Sequence, residues 1–297
     1  QKVGETEGLF VRGGTGTETK FFMDGNLVNN FFGNSVPGIK SMDRLNTSLF
    51  KGNVFSSGGY SAIYGQALSS VLALESIDFP ERNSIDLGIS PIFINAGFQN
   101  VNEEKSKSFG ISGSYSNIGL MTKLIKFTND FTKAPESFGT NFNFRLKNKN
   151  GGILKYYGSF DMNKLGLQSE SLEPNIDFDN TFLNGKNTFH NLSFKQKFGL
   201  YLLNVGSSYT FNSNKIDLKS IANNIEINPN TIEVNSNYFN AKAMIERRIN
   251  KISAVRAGLE LNTSKEDTDV SLAATPFQFK DEITSFFAET DLGFSNN

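Results

Sequence analysis

Apolar and polar residues alternate along most of the chain beyond residue 80. In 154–162, for example, Leu154, Tyr156, Phe160 and Met162 share one parity, while Lys155 and Asp161 have the other. A period of two is typical of a β-strand with one apolar face and one polar face. The pattern predicts ten strands, in 85–98, 109–115, 119–127, 142–146, 154–162, 189–198, 200–212, 237–248, 252–263 and 282–294. We therefore expect an all-β fold.

The first predicted strand contains a change of parity. Ile85, Leu87 and Ile89 share one parity, and the apolar residues after Pro91 have the other. An extra residue in a strand moves every later side chain to the opposite face, so we expect a β-bulge near Pro91.

The first 80 residues have a different pattern. They are rich in glycine and carry short apolar runs, which predicts short strands joined by tight turns. We expect two parts, 1–80 and 81–297.

The connections between the ten predicted strands alternate in length. The long ones are 100–106, 128–137, 164–187, 213–236 and 264–281, and the short ones are 116–118, 148–151, 199 and 249–251. Outer-membrane β-barrels have short periplasmic turns and longer outer loops, so this alternation favours such a barrel. The alternative is a soluble antiparallel β-protein in which phenylalanines fill an ordinary core.

The composition changes this picture in three respects. Phenylalanine accounts for 29 of 297 residues in a chain with a mean hydropathy of −0.31, which fits a lipid-facing surface with aromatic girdles. Apolar runs long enough for a membrane helix are absent, and a net charge of −1 disfavours nucleic acid as a partner. The lack of cysteine excludes disulfides, thiolate nucleophiles and zinc–sulfur sites.

Four short motifs occur in order within the first 80 residues. They are Arg12-Gly13, Asp24-Gly25, Lys51-Gly52 and Tyr64-Gly65. Their order and spacing resemble the second half of the plug domain of TonB-dependent outer-membrane receptors. This chain departs from the usual family pattern at Ser48, where a Glu is common, and at Ser69 and Ser70, where a Gly pair is common. The Ser-Ser-Val-Leu variant resembles receptors of Bacteroidota.

The resemblance implies a fragment: the C-terminal half of a plug in 1–80, followed in 81–297 by the first ten or so strands of a 22-stranded transmembrane barrel. It implies energy-coupled uptake of a siderophore, glycan or peptide across the outer membrane of a Gram-negative bacterium, with no cofactor and no catalysis. The implied partners are outer-membrane lipid, the nutrient ligand and the inner-membrane TonB complex, whose contact site lies outside this chain. A lid lipoprotein stays open as a further partner. The alternative is a complete ten-stranded barrel that acts as a passive porin, adhesin or surface enzyme.

The loop after Asp24-Gly25 supplies the candidate ligand contacts. In the resembled family such plug loops reach the ligand, and amides beside aromatic rings suit sugars or peptides. The candidates are Asn26, Asn29, Asn30, Phe31, Phe32 and Asn34. Turn formation is the alternative role for these asparagines. Arg12 is expected either to pair with a carboxylate of the barrel interior, such as Asp161 or Glu246, or to be a solvated turn residue.

Residues that suggest catalysis or metal binding are few. His190 is the single histidine, and its neighbours supply no acid or nucleophile, so we expect a girdle or lumen residue. Asp267 and Asp269, with Glu266, are expected in a solvated acidic loop rather than a calcium site, because the glycine spacing of calcium loops is absent. We therefore expect no metal site and no enzymatic activity.

Overall fold

The structure, a computed structural model, describes residues 9, 11–32, 45, 49–125, 130–250, 252–272 and 275–293. These residues form two β-sheets, one of four strands and one of ten. The helices are a 3-10 turn at Gly16–Glu18 and a short α-helix, α1, at Gly119–Leu124. Within the described ranges, neither is long and apolar enough to cross a membrane. The predicted all-β class is confirmed.

The four-stranded sheet, called the N-terminal sheet, consists of β1 (Thr19–Met23), β2 (Asn26–Val28), β3 (Phe50–Ser56) and β4 (Ser70–Ser76). Its order is β2-β1-β4-β3, with β1 parallel to β4 and the other pairs antiparallel. Asp24 and Gly25 join β1 to β2, both with positive φ, which is the backbone that a two-residue hairpin requires. The aromatic rings of Phe21 and Phe22 are buried on opposite faces of β1.

The ten-stranded sheet, called the wall, is an antiparallel meander in which each strand pairs with the next along the chain. Its strands are β5 (Ser84–Ile89), β6 (Phe93–Val101), β7 (Lys107–Asn117), β8 (Asp130–Lys147), β9 (Ile153–Glu170), β10 (Phe178–Phe198), β11 (Tyr201–Ala222), β12 (Ile225–Arg248), β13 (Ala254–Val270) and β14 (Phe277–Asp291). In the described residues β5 and β14 lie at opposite edges and do not pair with each other.

The predicted bulge near Pro91 is wrong, because the chain turns back there. β5 and β6 form a hairpin in which Ile85 lies opposite Phe98 and Leu87 opposite Ala96. The Ser90 hydroxyl accepts the Phe93 amide at 3.1 Å, which stabilises the turn. A hairpin and a bulge both change the parity of the apolar residues, so the sequence pattern alone did not separate them.

The predicted strand at 119–127 is also wrong. Residues Gly119–Leu124 form α1, in which the Thr122 hydroxyl donates to the Gly119 carbonyl over 3.0 Å. The total of ten strands is nevertheless right, because the first predicted strand became two and this one was lost.

The long predicted loops are largely strand. β11 and β12 are joined by residues 223–224 alone, although 213–236 was expected to be loop, and β13 includes Asp267 and Asp269. The predicted alternation also fails at the start of the wall, because the 102–106 turn lies at the same end of the wall as the short turn 148–152. Backbone ladder bonds form irrespective of side-chain polarity, so polar stretches continue the strands.

The two faces of the wall have opposite chemistry. On β10, Leu192 is 40 % exposed on one face and Asn191 is 2 % exposed on the other. The outward face carries an apolar band that on β11 runs from Tyr201 to Phe211, about 34 Å of strand. A strand tilt of about 40° converts this length into a height of about 26 Å, close to the apolar band of membrane barrels.

Candidate functional site

The inward face of the wall holds the N-terminal sheet through three groups of polar contacts. Hydrogen bonds join it to β8, β9, β10, β11, β12 and β14. The polar residues that make them are mostly buried, which places the interface in the interior of the molecule. The wall therefore curves around the N-terminal sheet.

The first group binds the tip of the β1–β2 hairpin. The Asn26 amide donates to Asn191 Oδ1 at 2.8 Å and to the Leu192 carbonyl at 3.1 Å. The Leu27 amide donates to Asn240 Oδ1 at 3.2 Å, and the Ser208 hydroxyl donates to the Leu27 carbonyl at 2.5 Å. Both backbone polar groups of Leu27 are thus satisfied by wall side chains.

Gly206 on β11 makes room for this hairpin tip. A Cβ atom at residue 206 would collide with the side-chain amide of Asn26. The close approach of Asn26 to the wall therefore requires glycine here.

The second group binds the end of β4 and the segment that leads into the wall. Lys155 Nζ on β9 donates to the Ser76 carbonyl at 2.8 Å and pairs with Asp78 at 2.8 Å. The Arg145 guanidinium on β8 donates to the Ile77 carbonyl at 2.9 Å. Asp24 lies beside them and accepts both the amide and the hydroxyl of Ser76, at 2.9 and 2.6 Å.

Lys51 and Asp78 form the outer edge of this second group. Lys51 Nζ lies 3.2 Å from Asp78 and 3.0 Å from Glu75. Partial burial raises the pKa of Asp78, but hydrogen bonds and charge from Lys155 and Lys51 outweigh it and hold that pKa below its usual value. Burial lowers the pKa of Lys51, but hydrogen bonds to Glu75 and Asp78 raise it above its usual value.

The third group binds the 61–63 segment to the other side of the wall. The Ser61 hydroxyl and the Ala62 amide donate to the Glu289 carboxylate, at 2.6 and 2.8 Å. Arg256 holds that carboxylate at 2.6 Å. Lys242, buried on β12, donates to the Ile63 carbonyl.

Arg256 is the centre of a charge network on the inward face. Besides Glu289, it pairs with Glu246 at 2.7 Å and with Asp291 at 2.5 Å. This network fixes the Glu289 carboxylate that accepts the 61–62 segment.

In all three groups the wall binds main-chain atoms of the first 80 residues. The backbone groups of Leu27, Ala62, Ile63, Ser76 and Ile77 accept or donate these bonds. Sequence reasoning missed the wall residues concerned, since a polar residue on a strand does not reveal its distant partner. The one available signal was their inward parity on the strands.

The motif residues of the N-terminal sheet have local roles. Asp24-Gly25 forms the β1–β2 turn, and Lys51-Gly52 lies at an irregularity of β3. The Tyr64 ring packs against Phe22 at 4.9 Å, and Gly65 lies against Glu260.

Arg12 is exposed in a turn with Gly13 and lies beside Gly58. Glu246 is paired instead with Arg256 and Arg248. The position of Arg12 fits a turn residue rather than a partner of Glu246.

The candidate ligand loop is divided in its contacts. Asn26 is buried against the wall, and the rings of Phe31 and Phe21 stack at 4.2 Å in the core of the N-terminal sheet. Phe32 packs edge-on against Phe31 at 5.1 Å. Asn29 and Asn30 are half-buried and follow β2 directly, whereas Asn34 lies outside the described residues.

His190 faces outward on β10. Its Nδ1 lies 2.7 Å from the Tyr156 hydroxyl, and its ring stacks near Tyr209 at 6.4 Å. This outward position beside tyrosines is the expected aromatic-girdle arrangement. Asp267, on β13, pairs with Lys265 at 2.7 Å, and no cluster of three metal-ligating side chains occurs in the part of the chain that the structure describes.

A cavity of about 340 Å³ lies between the 77–86 segment and the first strands of the wall. Its polar lining includes Arg82, Asp86, Gln99 and Asn141. It lies beside the strands β5 to β7, whereas the polar contacts of the N-terminal sheet run from β8 to β14.

Comparisons with known proteins bear on this arrangement of a wall around a small sheet. No protein-family model and no curated protein matches the chain. Solved structures do match. The copper transporter OprC superposes with a TM-score of 0.66 over 95 % of this chain, at 8 % identity. The fold is that of the TonB-dependent outer-membrane receptors.

Two further structures have the same receptor fold. The ferric citrate transporter FecA, in its unliganded form, superposes with a TM-score of 0.61 over 99 % of this chain, at 9 % identity. The ferric yersiniabactin uptake receptor FyuA from Yersinia pestis gives 0.56 over 92 %, also at 9 % identity. The chain covers 54 %, 55 % and 52 % of OprC, FecA and FyuA, so it spans about half the length of the receptors that it resembles.

Proposed function

We propose that the chain is the central part of an outer-membrane uptake receptor, with the C-terminal half of a plug in 1–80 and the first ten strands of a transmembrane barrel in 81–297. One observation carries the proposal: the wall is apolar where it is exposed and polar where it is buried. On β11 the exposed Val205 faces outward, while Thr210, 1 % exposed, faces inward. A water-soluble sheet has the reverse arrangement, and lipid is the solvent that this one suits.

The contacts of the N-terminal sheet support a plug that can be displaced. It is held by hydrogen bonds and ion pairs such as Asn26–Asn191 and Lys155–Asp78. Polar contacts can be exchanged for water as a domain moves, whereas a large apolar interface cannot. This suits a channel that opens when the TonB complex of the inner membrane pulls on the plug.

The ligand is proposed to be a nutrient that reaches the wall from the side opposite the short turns. β11 and β12 continue about ten residues beyond the apolar band, as the outer ends of such barrels do. Asn29, Asn30 and the adjoining Asn34 are the proposed plug contacts of the ligand. The neighbours are named for ferric chelates and copper, so the ligand class stays open among siderophores, metals, glycans and peptides.

A complete ten-stranded passive barrel is the rival function. It requires β5 to pair with β14, and these strands lie at opposite edges of the described wall. Unpaired edges are not tolerated in lipid, so we propose that further strands close the barrel.

Deletion of the gene in its own bacterium tests the function. We expect slower growth on one limiting nutrient among iron chelates, copper, glycans and peptides, and the same defect when TonB is removed. A growth defect that is independent of TonB would support the passive barrel. Normal growth on every nutrient would overturn the uptake proposal.

A further inference from the structure

Lysines above the apolar band of the wall point outward. Lys164 on β9, Lys186 on β10 and Lys215 on β11 all have the parity of lipid-facing residues such as Met162 and Tyr209. The inward positions at the same height carry asparagine and apolar side chains instead, among them Asn163, Asn187 and Asn214.

These three lysines lie around one residue. Asn184 on β10 is the register partner of Lys164 on one side and of Lys215 on the other. With strands about 4.8 Å apart, Lys164 and Lys215 are about 10 Å from each other. Lys186 lies two residues along β10 from Asn184, about 7 Å away. Flexible lysine side chains from these three positions can converge on one anion.

The height of this cluster, called the lysine triangle, matches a lipid headgroup. Lys164 follows Met162, the last apolar outward residue of β9, by two positions, about 7 Å along the strand. The headgroup layer extends about 5–8 Å beyond the hydrocarbon on each side of a bilayer. The ammonium groups therefore lie at the depth of lipid phosphates.

The charges already present leave the triangle incompletely neutralised. Lys164 and Lys186 form no ion pair with any described residue, and Lys215 is 3.7 Å from Asp217. Glu136 is the register partner of Lys164 but lies closest to Lys133, at 3.6 Å. Three ammonium groups face two flanking carboxylates, and an added phosphate would complete the balance.

We propose that the lysine triangle binds the phosphorylated headgroup of an outer-leaflet lipid, which fixes the depth of the wall in the membrane. The proposal rests on the membrane location proposed above. Its chemistry is that of a phosphate held by several ammonium groups, with the acyl chains against the apolar band that includes Met162 and Leu192.

Native mass spectrometry of the intact chain, purified in detergent, tests this. The probes are lipid A with both phosphates, the same lipid with both phosphates removed, and inorganic phosphate. The variant is Lys164→Gln with Lys186→Gln and Lys215→Gln. The matched control is Lys147→Gln with Lys149→Gln and Lys197→Gln, three exposed lysines at the other end of the wall.

We expect the wild-type chain to retain phosphorylated lipid A, and the triangle variant to bind it about 100-fold more weakly, as three lysines near an anionic surface contribute. The control variant should bind within twofold of wild type, and millimolar inorganic phosphate should not displace the lipid. Equal binding of both lipids, an equal loss in the control, or displacement by inorganic phosphate would overturn the proposal.

Flotation of the chain with lipid vesicles separates this proposal from the proposed function. A chain that floats but does not prefer phosphorylated lipid contradicts the lysine triangle alone. A chain that stays in the aqueous phase without detergent contradicts both.

Discussion

The side-chain amide of Asn26 donates to Asn191 Oδ1 over 2.8 Å, and the two residues are 165 positions apart in the chain. Each is 2 % exposed. This bond joins the tip of the β1–β2 hairpin to the tenth strand of the protein. It is the shortest statement of how the first 80 residues are held inside the wall.

Replacing Asn26 with alanine should weaken the attachment of the N-terminal sheet. The change leaves Asn191 Oδ1 and the Leu192 carbonyl buried without this donor, which costs about 1–3 kcal/mol for each group. We expect a lower urea midpoint for the detergent-solubilised protein. Asn53→Ala on exposed β3 is the matched control and should leave the midpoint unchanged.

A double-mutant cycle with Asn191→Ala isolates the pair. We expect a coupling free energy of about 1 kcal/mol between Asn26 and Asn191. Strictly additive effects would show that the two side chains act independently.

Glu289→Gln should loosen the 61–63 segment. Ser61 and Ala62 both donate to this carboxylate, and hydrogen bonds to a charged acceptor contribute about 1.5–3 kcal/mol. We expect the Ala62 amide to exchange its hydrogen at least tenfold faster, as measured by hydrogen–deuterium exchange. Glu282→Gln, on the outward face of the same strand, is the control. Unchanged exchange in the Glu289 variant would contradict the proposed contact.

Asp78→Asn should remove a pH-dependent part of the stability. Because the fold lowers the pKa of Asp78, its contribution is complete above the usual aspartate pKa and is lost as the pH falls through the lowered value. Asp78 is half exposed, so the difference at pH 7 should be below about 1 kcal/mol. Urea unfolding of wild type and variant should converge in strong acid. A gap that persists there would contradict the assignment.

Val205→Arg should hinder membrane insertion. Val205 is 42 % exposed near the middle of the outward band on β11, where an arginine in lipid costs about 2–4 kcal/mol. Ser213→Arg lies on the same strand and face but beyond the band, where the cost is about 0–1 kcal/mol. Folding yield into lipid vesicles should fall for the first variant and not for the second.

The sequence predicted the strands of the wall wherever alternation was sustained. Leu154 to Met162 and Tyr201 to Phe211 carry an outward apolar row, and both segments are strands. Where the pattern was ambiguous it misled. The hairpin at Pro91 imitated a bulge, and the apolar residues of α1 imitated a strand.

The interface inside the wall was not predictable from the sequence. Asn191, Ser208, Asn240 and Glu289 read as ordinary polar residues on strands, because their partners are main-chain groups far away in the chain. The loop residues Asn26 and Phe31 were predicted to contact ligand, and the structure gives both of them partners within the protein. Ligand contact at Asn29 and Asn30 stays a prediction.

The central claim is that the apolar face of the wall meets lipid while the polar face encloses the N-terminal sheet. The chain has no cysteine, so single cysteines can be placed along β11 and labelled with a fluorophore. In vesicles with brominated acyl chains, we predict quenching at 203, 205 and 209 and none at 204, 208 and 210. Equal quenching at both sets, or at neither, would contradict the account.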